Sequence, residues 1–223
     1  MSTITSSEHD LMLRSQGIEL AGLLTLPPEA RALVMFADGS GSSRLCQRSR
    51  SVAQVLEAAS LGTLLFDLLT PAEEQRDRID RALRFDIPLL SQRLVGAIDW
   101  IRQHIDLTGL PLGLFGASTG AAAALEAAVA RPQQVGAVVS RGGRPDLAMG
   151  VLAAVSCPTL LIAGGQDFEV LKLNRQAAAR LQAPHSLLVI PEASHLFEEP
   201  GTLPHVAHLA RDWFLQILCP SQA

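Results

Sequence analysis

The 223 residues contain no tyrosine, and lysine occurs once, at Lys172. Nearly all the positive charge is therefore arginine. Acidic residues are in slight excess, giving a formal net charge of −4. That balance offers no general attraction to nucleic acid or to an anionic membrane surface. Cysteine is scarce as well: Cys46, Cys157 and Cys219 lie far apart and form no CxxC pair. Such spacing argues against a disulfide framework and suits free thiols in a reducing cytoplasm. The first residues show no basic segment leading into an apolar one, so no signal peptide is expected. Long apolar runs are missing too. The uncharged stretch 109–125 is interrupted by Pro111, Gly113, Gly116 and Gly120. It reads as a buried strand running into a helix, and not as a membrane span. No internal repeat or low-complexity tail is evident.

What is present suffices for one domain, 1–223, with a layered core. Residues 9–14 and 18–26, around Gly17, are expected to form an antiparallel N-terminal hairpin closed by Pro27 and Pro28. Runs 31–37, 63–66, 112–115, 135–139, 159–163 and 185–190 read as buried strands. Helical spacing separates them: Val52, Val55, Leu56 and Ala59 with Gly62 as the stop, then Leu90, Leu94, Ala97 and Ile101 after Asp86 and Pro88. An alanine-rich helix follows Gly120, another covers about 169–181, and Val206, Leu209, Ala210, Trp213 and Ile217 mark the last. This alternation calls for an α/β fold, a mostly parallel sheet with helices on both faces and no large lid domain. Right-handed crossovers then gather the post-strand loops on one edge, where open sheets keep their sites. Segment 68–86 breaks the rhythm. It is charged (Glu73, Glu74, Arg76, Asp77, Arg78, Asp80, Arg81) and is expected as a solvated excursion.

Four loops on that edge carry chemistry. The first is Gly116-Ala117-Ser118-Thr119-Gly120, a G-x-S-x-G stretch joining a strand to a helix. A serine on so sharp a turn is crowded two residues to either side, and glycine there removes the side chains that would clash. Asp167 follows the next-but-one strand, behind Gly164 and Gly165. His195 follows the last. Ser118 would be the nucleophile, His195 the base that takes its proton, and Asp167 the group that orients the imidazole and stabilises its cation. The backbone N–H groups of Thr119 and of Ser40, in the glycine-serine loop after the first parallel strand, would receive the oxyanion. Taken singly, Asp167 reads as a turn or N-cap residue and His195 as a surface histidine. Their order and their common placement beyond strand ends favour the triad.

Other constellations carry less. His205 and His208 stand in the final helix near Glu198 and Glu199, but no metal-ligand spacing emerges. Gly39-x-Gly41-x-x-Arg44 has arginine where a dinucleotide fingerprint has its third glycine. Asp38, Gly39, Arg44 and Arg141 are candidate substrate contacts. Arg141 and Arg144 could hold a substrate carboxylate bidentately, but both are expected instead to pair with Asp146 and neighbouring carboxylates.

From about residue 11 to residue 218 the chain resembles the dienelactone-hydrolase-like branch of the α/β-hydrolase fold. The resemblance rests on FADGSGSSR, LLFDLLTPAEE, GLFGASTGAAAAL, SRGGRPDLA, LLIAGGQD and SHLFEEPG. It implies a serine-dependent hydrolase of a small ester, lactone or thioester that needs no cofactor. It also implies a functional link to a phosphoribosyltransferase, a domain to which some relatives are fused. Two departures qualify it: the name-giving enzymes have cysteine where this chain has Ser118, and relatives commonly have His-Gly at Asp38-Gly39. A carboxylate there opposes a developing oxyanion unless paired, with Arg44 and Arg141 as candidate partners. Two alternatives follow: a non-catalytic protein of this fold that binds a ligand or partner, and an acyltransferase to an acceptor other than water.

Overall fold

Strands with both faces buried need unbroken apolar sequence, and several segments here have it. The computed structural model describes residues 7–15, 17–39, 43–103, 107 and 109–220. Its strands are β1 (Ser7–Ser15), β2 (Ile18–Leu26), β3 (Ala32–Ala37), β4 (Leu61–Phe66), β5 (Leu112–Ala117), β6 (Val135–Arg141), β7 (Thr159–Gly164) and β8 (His185–Ile190). Its helices are α1 (Gln47–Glu57), α2 (Pro71–Asp80), α3 (Ile87–Arg102), α4 (Thr119–Ala130), α5 (Phe168–Ala178) and α6 (Thr202–Leu218). The eight strands form one sheet in the order β1-β2-β4-β3-β5-β6-β7-β8. β1 and β2 make the expected antiparallel hairpin, β2 pairs antiparallel with β4, and every later pairing is parallel. Every residue of β3, β4, β5 and β7 is buried, as parallel strands covered on both faces must be.

The two faces bury separate apolar layers. One holds Leu90, Leu94 and Ile98 of α3 with the alanines of α4, and the other holds Val52 and Leu56 of α1 with Val206 and Phe214 of α6. Alanine along α4 has a packing reason: nine of its residues are buried, so it lies between α3 and the sheet with no solvent face to speak of. Helix starts follow their sequence signals. Asp86 caps α3 by accepting from the Leu89 N–H at 3.1 Å, and Thr70 with Glu73 forms a capping box on α2.

Several boundaries differ from the expectation, two of them with a clear physical reason. Gly62 does not stop α1 but lies inside β4; the helix ends at Glu57 with Ala58 as its C-cap, and the chain turns at Ser60. A Cβ on Gly62 would meet the Leu26 side chain at 2.9 Å, so the glycine serves sheet packing instead of termination. β6 runs on through Ser140 and Arg141, because both pair with β5 and β7 beyond the apolar stretch. Segment 68–86 is α2 followed by a single 3-10 turn, Leu83–Phe85, with most of its side chains exposed or half-buried. Among the described residues, no helix is long and apolar enough to cross a membrane.

Candidate active site

β5 delivers Ser118 to the start of α4, and the turn between them is strained. Ser118 has φ 52° and ψ −124°, a backbone conformation that L-residues rarely adopt. Its neighbours explain why the chain tolerates it. A Cβ on Gly116 would lie 2.5 Å from Ala121 Cα, and one on Gly120 would run into the carbonyl oxygen of Ala37. The turn is also anchored: the Ser118 N–H donates to the Arg141 carbonyl at 3.4 Å, and the Arg144 N–H donates to the Ser118 carbonyl at 2.9 Å.

Asp167 stands at the start of α5 and His195 in the loop after β8. Two backbone bonds tie these loops together, from Gly165 N–H to Ile190 O at 2.8 Å and from Gln166 N–H to Ala193 O at 3.0 Å. The Asp167 Oδ2 then lies 2.6 Å from His195 Nδ1. A proton on Nδ1 donates to that carboxylate and leaves Nε2 as the basic nitrogen. Glu199 steadies the same loop by accepting from the Ser194 N–H at 3.1 Å.

Ser118 and His195 meet in one cavity of about 190 Å³, lined also by Gly39, Arg48, Ala117, Arg141, Gly142 and Leu196. Of the candidate contacts, Gly39 and Arg141 reach it. Asp38 is buried behind Gly39, where burial pushes its carboxyl above the usual range against the opposing pull of a Ser49 hydrogen bond and of Arg141 and Arg48. Burial likewise lowers the Arg141 guanidinium, which stands 5.9 Å from the Phe197 ring centroid. Arg44 turns elsewhere: its backbone N–H and Nη1 both donate to the Asp67 carboxylate at 2.7 Å. Arg144 pairs with Asp146 through two bonds of 2.8 Å, as expected. Thr119 opens α4 beside Ser118. Ser40, the other expected oxyanion donor, lies outside the described residues. Arg48, Gly142 and Leu196 were not singled out in the sequence. The signal for Arg48 was its place in the first turn of the helix behind the glycine-serine loop.

Sheet order, crossover pattern and the strained serine turn define an α/β-hydrolase fold. Wider likeness agrees: a cold-adapted esterase from an Arctic intertidal metagenomic library is 15% identical at TM-score 0.76, covering 98% of this chain and 97% of its own. A much nearer structure is a dienelactone hydrolase from Anabaena variabilis, 52% identical at TM-score 0.94, covering 96% of this chain and 99% of that one. The chain belongs to the dienelactone hydrolase family. It is also 54% identical, over 212 residues, to a putative phosphoribosyl transferase of Mycobacterium tuberculosis, a match covering 95% of this chain and 47% of that protein. The chain thus spans about half the length of the curated relatives it matches. No protein-family model matches it.

Proposed function

We propose that the chain is a serine hydrolase that cleaves a small carboxylic ester, lactone or thioester through an acyl-enzyme. The observation that carries this is the 2.6 Å contact between His195 Nδ1 and Asp167 Oδ2, with Ser118 on its strained turn in the same cavity. His195 Nε2 removes the Ser118 proton as Oγ adds to the acyl carbon. The same imidazolium then protonates the departing alkoxide or thiolate, while Asp167 stabilises it without taking the proton. Water, deprotonated by His195, releases the acid and restores Ser118. The Thr119 N–H at the start of α4 receives the oxyanion together with the Ser40 N–H, each donor worth about 2.7–4 kcal/mol. A cavity of about 190 Å³ is below the roughly 300–1,000 Å³ of sites for drug-sized ligands, which favours a small acyl group. The chemistry calls on no cofactor. The cytoplasm is its proposed compartment, a reducing one that suits three cysteines set far apart in the sequence. A link to phosphoribosyl transfer belongs to the same proposal and rests on the name of the longer relatives.

The test is covalent labelling by a fluorophosphonate. Wild type is expected to label on Ser118, and Ser118→Ala and His195→Ala to lose the label with their thermal midpoints unchanged. An unlabelled wild type overturns the reading and leaves the non-catalytic alternative, which the buried carboxylate of Asp38 beside the oxyanion loop favours. Rate gains on adding alcohols or amines mark acyl transfer instead.

A further inference from the structure

One turn, 141–144 at the end of β6, meets the elements that carry Ser118, Asp167 and His195. On the serine side the Arg141 carbonyl accepts from the Ser118 N–H at 3.4 Å, and the Arg144 N–H donates to the Ser118 carbonyl at 2.9 Å. The strained residue is thus held on both sides. Gly143 lies tight against α4, where a Cβ would run into Ser140 Oγ and come 2.5 Å from Ala121 Cβ. On the histidine side Gly142 has φ 49°, and a Cβ there would lie 3.1 Å from the His195 carbonyl oxygen. The Gly142 N–H donates at 2.8 Å to the carbonyl of Ile162, in the strand that leads to Asp167.

A side chain of α5 fastens this turn. Asn174 Nδ2 donates to the Gly143 carbonyl at 3.0 Å and to the Val170 carbonyl of its own helix at 2.8 Å. The residue is fully buried, and among the described residues its Oδ1 has no hydrogen-bond partner. A buried amide with an unmet oxygen costs stability that an apolar side chain of similar size avoids. Packing alone therefore does not account for asparagine here, whereas its bond to Gly143 does. Asn174 also stands about two helical turns beyond Asp167, the residue that opens α5. One helix carries the carboxylate that meets His195 and the amide that fastens the turn behind Ser118.

We propose that Asn174 is a positioning residue for Ser118: through the Gly143 carbonyl it ties the 141–144 turn to the helix that Asp167 opens, holding the nucleophile and the His195–Asp167 pair in one frame. Without the tie, the turn moves independently of α5 and the backbone around Ser118 slackens. Ser118 Oγ then spends less time in line with His195 Nε2, and each step that passes a proton between them slows. Asn174 does not line the cavity, so the loss falls on kcat and spares KM.

This inference rests on the serine-hydrolase reading, so its experiment separates the two. Asn174→Leu fills similar space and removes both amide bonds. It is expected to label with fluorophosphonate to completion but about tenfold more slowly than wild type, and to lower kcat on a small aryl ester by the same factor with KM unchanged. For scale, displacing reacting groups by about 1 Å costs about a hundredfold. Asn174→Ala, which adds no bulk, stands in if the leucine variant does not fold, with the same slowing expected. Ala177→Gly, buried on the same helix, controls for general loosening and is expected to label at the wild-type rate. A merely structural role for Asn174 lowers the urea midpoint while the folded protein labels at the wild-type rate, and that result overturns the inference alone. Equal slowing in Ala177→Gly does the same. A wild type that does not label overturns the proposed function, and this inference with it.

Discussion

In α2 and its flanks, carboxylates and arginines close on one another: Glu73 holds Arg93, Glu74 holds Arg78, Asp77 holds Arg84 and Asp80 holds Arg76. At the cavity, among the described residues, Nε of Arg48 and Nε and Nη1 of Arg141 have no hydrogen-bond partner, nor has Oδ1 of Asp38 next to Gly39, although Arg48 also lies 3.7 Å from Glu198. The first region behaves as a folded surface does, pairing charges for modest gains where water screens the rest. Asp77 is its extreme case, since its buried carboxylate accepts from both the Arg84 N–H at 2.8 Å and Arg84 Nε at 2.9 Å. The second region leaves hydrogen-bonding capacity unspent next to the strained serine. Unmet polar groups are costly to bury, so those of Arg48 and Arg141 mark the cavity as a place where this molecule gives up stability.

That contrast breaks in a graded way. Asp167→Asn is expected to lower kcat about 10⁴-fold on a small aryl ester, by removing the acceptor that fixes the His195 tautomer. Its denaturation midpoint should match wild type, and a midpoint that falls along with activity denies Asp167 its special role. Asp77→Ala is expected to do the reverse. Loss of a buried partner costs about 3 kcal/mol, discounted because Arg84 is about a quarter exposed. Urea titration reads that loss, while the fluorophosphonate labelling rate of the folded protein stays at the wild-type value. The smallest effect concerns a buried titratable group that takes no part in the proposed chemistry. Burial pushes the Cys157 thiol up to about 11. A thiol raised in the folded state stays protonated where a free one ionises, so iodoacetamide at pH 8 should spare Cys157 in native protein. Its alkylation should rise only as pH climbs well above the ordinary thiol range or the protein unfolds; prompt reaction at pH 8 contradicts that burial.

How much could be read in advance varied with the range of the interaction. The elbow was legible because its constraint is local: glycines at 116 and 120 answer clashes made within a few residues and with β3. Asp167 and His195 were legible through order and placement after strands, and their 2.6 Å contact needed only that two neighbouring loops meet. Segment 68–86 showed itself as charged and surface-lying, but not that Asp77 would be buried. Gly62 misled, since a glycine after helical spacing looks the same whether it ends a helix or makes room for Leu26.

The sequence by itself determined the alternation of strands and helices, the edge on which the loops gather and the turn that lifts Ser118. Those features follow from periodicity, backbone sterics and chain connectivity, which act over short separations. Only the tertiary structure decided that Arg44 turns to Asp67 while Arg141 and Arg48 enter the cavity and Asp38 is buried behind it. Charges carry no sequence-local rule for choosing partners. Which arginine meets which carboxylate is settled by what the sheet brings within a few ångströms, and by how far water is excluded from it.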